Sequence, residues 1–365
     1  MKTILIAHNY NETSYSAMSY HLAHHLADLG HKVVFISHKP YFPEKKTVKT
    51  EKGEIFLYSW PSEKRPTSIT DYIWFAKIYR QYTPDVIVGH FVGSNICILV
   101  SKLMSFGKVK TIEYYHTLTQ ATLTDIGKIP LKINLLLFRK KIFYRIFCDV
   151  IVCPSKLGKE ALESFFGAKN GIVLLNSITD RFKLKKHISS DSIIVSFLGG
   201  LNPTKGIVEL VTAYIKYKNE NQNSKIILNI AGTGTQALEI IKLIQNVDGI
   251  NYLGAISYDK VDDYLNKSDF TIIPSKFDNL PTVGLESLMN QTPLLISNNT
   301  GLTNYLVDGK DCFKFDPTVD SILSLFEKIE TKSYSFEQMR KEARITYLDK
   351  FSIKSYCDNF TATLL

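Results

Sequence analysis

The sequence predicts an α/β protein built from two open parallel sheets, each flanked by helices. Three observations lead there. At 365 residues, 45% of them hydrophobic, the chain exceeds what one packed core usually organises, so two domains are expected. Short β-branched runs alternate with stretches of helical periodicity along most of its length, the pattern of repeated βα units. That alternation lapses once, in the polar, basic stretch from Thr179 to Ser192, and then restarts.

Ile4 to Ala7 reads as a first buried strand, because its apolar run is too short for a signal peptide and meets His8 and Asn9 at once. Ser16 to Leu29 puts Leu22, Leu26 and Leu29 on one helical face, Gly30 closes that helix, and Val33 to Ser37 completes a βαβ unit. Strands over 85–90, 109–114 and 149–155 and a helix over 95–104 extend the same sheet. Beyond the lapse the rhythm resumes with strands over 193–198, 226–231, 250–253, 270–275 and 293–297, each followed by a loop and a helix. The reading is two Rossmann-like domains. Such sheets bind ligands outside the carboxyl ends of their strands, so functional residues should sit just after strands.

Composition narrows the class. The five cysteines, Cys97, Cys148, Cys153, Cys312 and Cys357, contain no CxxC pair, which suits reduced thiols in a cytoplasmic protein better than disulfides or zinc. The net charge of +9 is spread along the chain rather than gathered in a tail. Nucleic acid is then only one candidate partner, anionic lipid or a phosphorylated substrate fits equally well, and it is the motifs of the second half that lead to an expectation of no nucleic-acid partner. No stretch approaches the roughly 18 to 20 apolar residues that cross a bilayer.

Chemistry concentrates in the second half. Gly199-Gly200-Leu201-Asn202-Pro203-Thr204-Lys205-Gly206 is a glycine-bearing turn ending in a lysine at a helix start, where amides, the positive helix end and an ammonium group favour a diphosphate. An ordinary βα loop with a solvated lysine has the same residues. Ala231-Gly232-Thr233-Gly234 again puts small residues where backbone approaches a ligand or simply turns. In Pro274 to Met289, Pro281 suits the first helical position and Asn279 a cap, so amides near Leu280, Thr282 and Val283 should point at a ligand. Asp278 then lies in the preceding loop and Glu286 one to two turns inside the helix, suited to a sugar and a ribose respectively. A loop acid and a solvated helix residue would be the bland alternative.

In this order the motifs resemble the family 4 retaining glycosyltransferases of GT-B fold, over nearly the whole chain. The acidic pair with seven residues between them matches Asp278 and Glu286, and Asn279-Leu280-Pro281 resembles a variant of the family's glycine-rich loop. The resemblance implies two Rossmann-like domains facing a central cleft: 1–180 for the acceptor, 181–348 for a nucleotide-diphosphate sugar donor, and a helix in 349–365 packing back on the first domain. It implies that Lys205 neutralises the donor diphosphate beside Gly200, that Glu286 binds ribose and that Asp278 addresses the transferred sugar. Gly232, Thr233 and Ile256 would line the nucleoside pocket, and His116, after the strand ending at Tyr115, would serve the reaction. Lys205, Asp278 and His116 are thus the catalytic candidates, with no cofactor and no metal. Three departures stand out: Gly200 replaces a usual arginine, with Arg181, Lys276 and Lys156 as candidate substitutes; Asn304 replaces a glutamate; and Thr13 and Ser14 occupy the place of a glycine pair.

Thr13, Ser14, His90 and His116 form the expected acceptor side. For Thr13 and Ser14 the other reading is a capped helix start at Ser14 or Ser16, and for either histidine a structural role. The segment 131–147 is both apolar and strongly basic, suiting an anionic membrane surface and a lipid-linked acceptor, or a core helix whose cations reach solvent. The function expected is retaining sugar transfer to a glycan or lipid-linked acceptor in cell-envelope polysaccharide synthesis, by a chain that is cytoplasmic or peripheral on the inner membrane face. A nucleotide-sugar epimerase and a non-catalytic glycosyltransferase-like subunit are the alternatives. A dinucleotide oxidoreductase is disfavoured because no complete GxGxxG follows the first strand.

Overall fold

Strand β1 (Thr3–His8) is apolar almost throughout because it is covered on both faces, as a central strand of a parallel sheet must be. The computed structural model describes residues 1–13, 16–38, 42, 45–62, 66–126, 131–183, 191–331 and 333–365. Its chain divides into two units, one of Met1–His116, Ile129–Thr179 and Tyr356–Leu365, the other of Thr117–Lys128 and Asp180–Ser355.

In the first unit, α1 (Ala17–Asp28) buries Leu22, Ala23, Leu26 and Ala27. Leu29 is not part of that face. It is the C-cap and 53% exposed, because the chain leaves the helix through Gly30 at φ +84°. There Gly30 N–H donates to Ala27 O and His31 N–H to Leu26 O, a Schellman ending. After β2 (Lys32–Ser37) come β3 (Lys45–Lys49) and β4 (Glu54–Ser59), an antiparallel pair that the periodicity did not reveal. Strand β3 reads Lys-Lys-Thr-Val-Lys, the charged composition of a protected sheet edge rather than a buried strand. There follow α2 (Ile69–Tyr82), β5 (Val86–His90), α3 (Asn95–Met104), β6 (Lys110–Tyr114), α4 (Thr119–Ile126), α5 (Leu131–Ile146), β7 (Val150–Cys153), α6 (Lys156–Phe166) and β8 (Gly171–Val173). The sheet order is β3-β4-β2-β1-β5-β6-β7-β8. It reverses direction between β1 and β5, which end in His8 and His90.

The second unit starts its sheet with β9 (Ile193–Leu198), followed by α7 (Ile207–Glu220), β10 (Ile226–Ala231), α8 (Ala237–Ile244), β11 (Ile250–Gly254), α9 (Tyr258–Asn266), β12 (Phe270–Ile273) and α10 (Thr282–Met289). Then come β13 (Leu294–Ser297), β14 (Cys312–Phe315), α11 (Val319–Glu330) and α12 (Phe336–Lys350), before α13 (Ile353–Leu364). The order β11-β10-β9-β12-β13-β14 is parallel throughout. It reverses between β9 and β12. Helix α4, expected within 1–180 of the first domain, groups with this unit. Its Asp125 accepts from the Thr204 amide at 3.1 Å and hydroxyl at 3.0 Å, tying it to the turn after β9. In α13, Tyr356 and the residues after it group with the first unit, where the Tyr356 hydroxyl meets that of Tyr114 at 2.5 Å and Lys2 Nζ donates to Leu365 O at 2.7 Å.

Candidate active site

The reversal between β9 and β12 opens a cavity of about 350 Å³ in the second unit. On one wall β9 ends in Phe197, Leu198, Gly199 and Gly200. The chain then makes a short turn at Pro203–Lys205, held by Asp125 on one side and by Lys276 N–H donating to Thr204 O at 2.8 Å on the other. Gly206, at φ +66°, lets this turn lie against the end of β12: a Cβ there would collide with the backbone oxygen of Pro274. The approach delivers Lys205 Nζ to 2.5 Å from Asp278 Oδ2.

The opposite wall is the loop after β12 and the start of α10. Asp278 is fixed by a parallel bridge to Thr300 and by Gly301 N–H donating to its carbonyl at 2.9 Å. Pro281 is the N-cap of α10 at φ −62°, ψ 120°, not its first helical residue, and Asn279 is buried in the loop rather than capping. The extended ψ delays the helix to Thr282, and Thr282 and Val283, not Asn279, line the cavity with Leu280 and Pro281. Gly284 in this helix packs against Leu302, leaving no room for a Cβ.

Glu286 closes the cavity from the second turn of α10 and is buried, not solvated. Burial raises its pKa from 4.5 to about 7 against the pull of Arg181, and Asp262 pushes it further up. Arg181 Nη2 donates to Glu286 Oε1 at 3.2 Å, while the same guanidinium grips Asp262 through Nε at 2.9 Å and Nη2 at 3.1 Å and lies over the Tyr258 ring. Asn290 Nδ2 also donates to Asp262, at 2.9 Å. Arg181 is therefore committed to the Glu286 end of the site, and sequence reasoning missed Asp262 and Asp125, whose roles rest on contacts 81 and 79 residues away in the chain. Lys276 pairs with Glu209 at 2.5 Å, and Lys156 begins α6 of the first unit. Among the described residues lining the cavity, Lys205 is the cation.

Gly200, Lys205, Asp278, Leu280, Pro281, Thr282, Val283 and Glu286 are thus brought together, while Gly232, Thr233, Ile256 and Asn279 lie outside the cavity lining. Gly232 is needed for packing: at φ +140° it meets the backbone of Gly199, where a Cβ would clash, and its N–H donates to Gly254 O at 2.7 Å. Thr233 O accepts from Leu201 N at 2.9 Å, which stitches the two loops together. Gly200 is under a weaker demand, since a Cβ would meet the Asn202 side-chain nitrogen at 3.0 Å and the Thr233 backbone oxygen at 4.0 Å. Asn304 is exposed in the 3-10 turn Gly301–Tyr305.

The acceptor-side candidates lie in the first unit. His90 ends β5 and His116 follows β6, with His90 Nδ1 3.1 Å from His116 Nε2. Ser19 Oγ of α1 lies 3.1 Å from His90 Nε2 and 2.7 Å from His8 Nδ1. Part of His116 reaches solvent, yet its surroundings hold its pKa down to about 4 by desolvation. Burial holds His90 and His8 well below 6.5 too. Thr13 forms an Asx turn on Asn11 Oδ1, at 2.9 Å from N and from Oγ1; Ser14 lies outside the described residues, and Ser16 precedes α1 without a side-chain cap bond.

Two family models divide the sequence between them: Glycosyltransferase Family 4 matches residues 16–178 and Glycosyl transferases group 1 matches residues 178–346. The chain belongs to this glycosyltransferase family. Among curated relatives, an uncharacterized glycosyltransferase of Methanocaldococcus jannaschii is 22% identical over 60% of this chain and 57% of its own length. The alpha-monoglucosyldiacylglycerol synthase of Acholeplasma laidlawii is 22% identical over 89% of this chain and 90% of its own. The chain thus spans little more than half of the first relative. Among solved structures, sucrose-phosphate synthase from Thermosynechococcus elongatus superimposes with a TM-score of 0.76 at 14% identity, over 99% of this chain and 98% of that one. Anabaena HepE in complex with UDP and glucose gives 0.70 at 12% identity, over 100% and 99%. At these identities the likeness establishes the fold, which is GT-B.

Within this glycosyltransferase family the second unit's cavity carries the acidic pair and the lysine that the motifs pointed to. Among the described residues no helix is long and apolar enough to cross a membrane.

Proposed function

We propose that this chain is a retaining glycosyltransferase that moves a sugar from a nucleotide-diphosphate donor to a glycan or lipid-linked acceptor in cell-envelope polysaccharide synthesis. The observation that carries this reading is one cavity at the second sheet's reversal joining Lys205, Asp278, the start of α10 and Glu286. The leaving diphosphate is neutralised by Lys205 and the amides of Thr282 and Val283, without a metal ion or a cofactor. Glu286 accepts from ribose hydroxyls, and Asp278, exchanging its partner Lys205 for the donor, orients the transferred sugar. Transfer is front-face, so the anomeric configuration is kept, and His116 with His90 serves the acceptor hydroxyl.

A lipid-linked acceptor at an anionic membrane surface is supported by α5. Leu131, Leu135, Phe138, Ile142 and Ile146 are all exposed and fall on one stripe of that helix, while Lys132 and Arg139 flank one side and Lys141 and Arg145 the other. Tyr144 on the opposite face is buried and Lys140 lies over the rings of Tyr115, Tyr144 and Phe166. An apolar stripe between cationic borders is the pattern of an interfacial helix.

Isothermal titration of nucleotide-diphosphate sugars and free nucleotides into wild type, Lys205→Ala and Glu286→Ala tests the donor site. Wild-type binding lost in both variants is expected, followed by NMR of the product's anomeric configuration. Binding without transfer to any glycan or lipid acceptor would favour the non-catalytic subunit, a reading that Gly200 motivates, and a changed sugar without acceptor an epimerase.

A further inference from the structure

We propose that Arg181 is a positioning residue for the donor's ribose: it holds Glu286 by Oε1 as an ionised acceptor, and Asp262, by drawing on the same guanidinium, limits that hold. The inference deepens the reading of Glu286 as the ribose ligand and rests on it. Its basis is one guanidinium shared between acids on two neighbouring helices. Arg181 Nη2 has two hydrogens, and it reaches Glu286 Oε1 of α10 at 3.2 Å and Asp262 Oδ1 of α9 at 3.1 Å, while Nε adds a second bond to Asp262, through Oδ2 at 2.9 Å. Glu286 lines the cavity and neither Arg181 nor Asp262 does, so both act on the donor through Glu286.

The arrangement is fixed from several sides. Arg181 N–H donates to Met289 Sδ of α10 at 3.2 Å, the guanidinium lies 4.8 Å over the Tyr258 ring of α9, and Nδ2 of Asn290, the C-cap of α10, donates to Asp262 Oδ1 at 2.9 Å. Among the described residues no hydrogen bond reaches Glu286 Oε2, which leaves that oxygen to a ribose hydroxyl.

Charge decides how well that oxygen accepts, since a hydrogen bond to an ionised acceptor is about twice as strong as a neutral one. Burial disfavours the charge and holds the Glu286 carboxyl at about 7 even beside the guanidinium. Asp262 explains why the cation does not win: it takes two of the arginine's bonds where Glu286 takes one, and its own negative charge lies close by. The other charged and titratable groups around α10 leave this balance to the pair. Lys205 and Asp278 of the cavity are paired with each other, and Arg344 of α12 meets α10 at Met289 O with its charge matched by Asp180. Tyr347 of α12 has a phenol that burial raises above its ordinary value, and β12 and β13 have no charged residue. Removing Arg181 or the charge of Asp262 must therefore move Glu286 in opposite directions, which a role in packing alone would not do.

The test titrates Glu286 in the full-length protein by 13C NMR of carboxyl-labelled glutamate, its signal assigned by Glu286→Gln. In parallel, calorimetry measures the affinity for UDP-glucose, and then for other nucleotide-diphosphate sugars, across about pH 5 to 8.5. These donors have no phosphate that ionises in that range, so the profile belongs to the protein. In the wild type, affinity should rise with pH through the Glu286 midpoint, and Glu286→Gln should flatten the profile. Arg181→Met should raise both midpoints by about one pH unit or more and so weaken binding at pH 7 about fivefold. Asp262→Asn should lower both midpoints and strengthen binding at pH 6; it keeps the proposal open to refutation should Arg181→Met fail to fold. Shifts of the same sign in the two variants, or none, would overturn the proposal. So would an affinity profile that stays in place while Glu286 moves. If Glu286 shifts as expected but no nucleotide-diphosphate sugar binds the folded wild type at any pH, the donor reading has failed and the control of Glu286 by Arg181 stands.

Discussion

Glu286→Gln separates a cost of the site from its use. Folded, this carboxyl titrates at about 7, against an ordinary value of 4.5, mainly because burial disfavours its charge. Between those values the folded chain keeps a proton that the unfolded chain has released. The group therefore favours folding fully below pH 4.5, and that contribution is lost as pH rises through 7. The gap corresponds to about 3 kcal/mol, and because only 9% of the side chain is exposed, little of it is screened away. Glutamine is neutral at every pH. Its stability relative to wild type should rise by about 2 to 3 kcal/mol between pH 5 and pH 8, while any packing cost of the amide cancels in the difference. The readout must report the right unit. Both tryptophans, Trp60 and Trp74, belong to the first unit, so fluorescence is unsuitable; urea unfolding followed by hydrogen exchange of peptides spanning α10 is the measurement. A stability difference that does not change with pH would refute the reasoning, since it would mean that Glu286 ionises in the folded chain as easily as in water. Donor affinity should fall in the same variant, as expected where a site keeps a charge that stability disfavours.

Gly206→Ala should cost about 2 kcal/mol or more and weaken donor binding, because the position combines φ +66° with a clash against the Pro274 carbonyl. Gly199→Ala, whose Cβ would meet only the Phe197 ring at 3.6 Å, is the tolerated control, and thermal unfolding of the pair decides it. Vesicles rich in anionic lipid should co-sediment the protein at low salt and release it as salt screens the charges around α5, and Phe138→Glu should abolish that binding. Equal binding to neutral and anionic vesicles, or none to either, would remove the surface-binding reading.

Much of the fold was legible because buried parallel strands announce themselves. Ile193–Leu198 and Ile226–Ala231 have the bounds that their β-branched runs suggest, and Asn95–Met104 those of its helical pattern. Lys45–Lys49 escaped notice because an edge strand defends itself with charge and so resembles a loop. The same contrast holds in the site. Lys205, Asp278 and Glu286 stood out by spacing and by their place after strands. Gly232 carried the signal of a glycine that must be glycine, and the packing adds a cause that spacing did not show: it makes room for the backbone of Gly199.

By itself the sequence determined the alternation of strands and helices, the two-sheet architecture and the lysine and acidic pair, all of which follow from local periodicity and short spacings. Only the tertiary structure decided what surrounds them: that Arg181 and Asp262 hold Glu286, that Asp125 of α4 grips the turn before Lys205, and that Ser19 joins His8 to His90. Those partners lie far apart in the chain, and each is an ordinary helix or loop residue until folding brings its neighbour within hydrogen-bond reach. Burial works the same way, since an acid inside a helix reads as solvated from its spacing, and what raises its pKa is the packing around it.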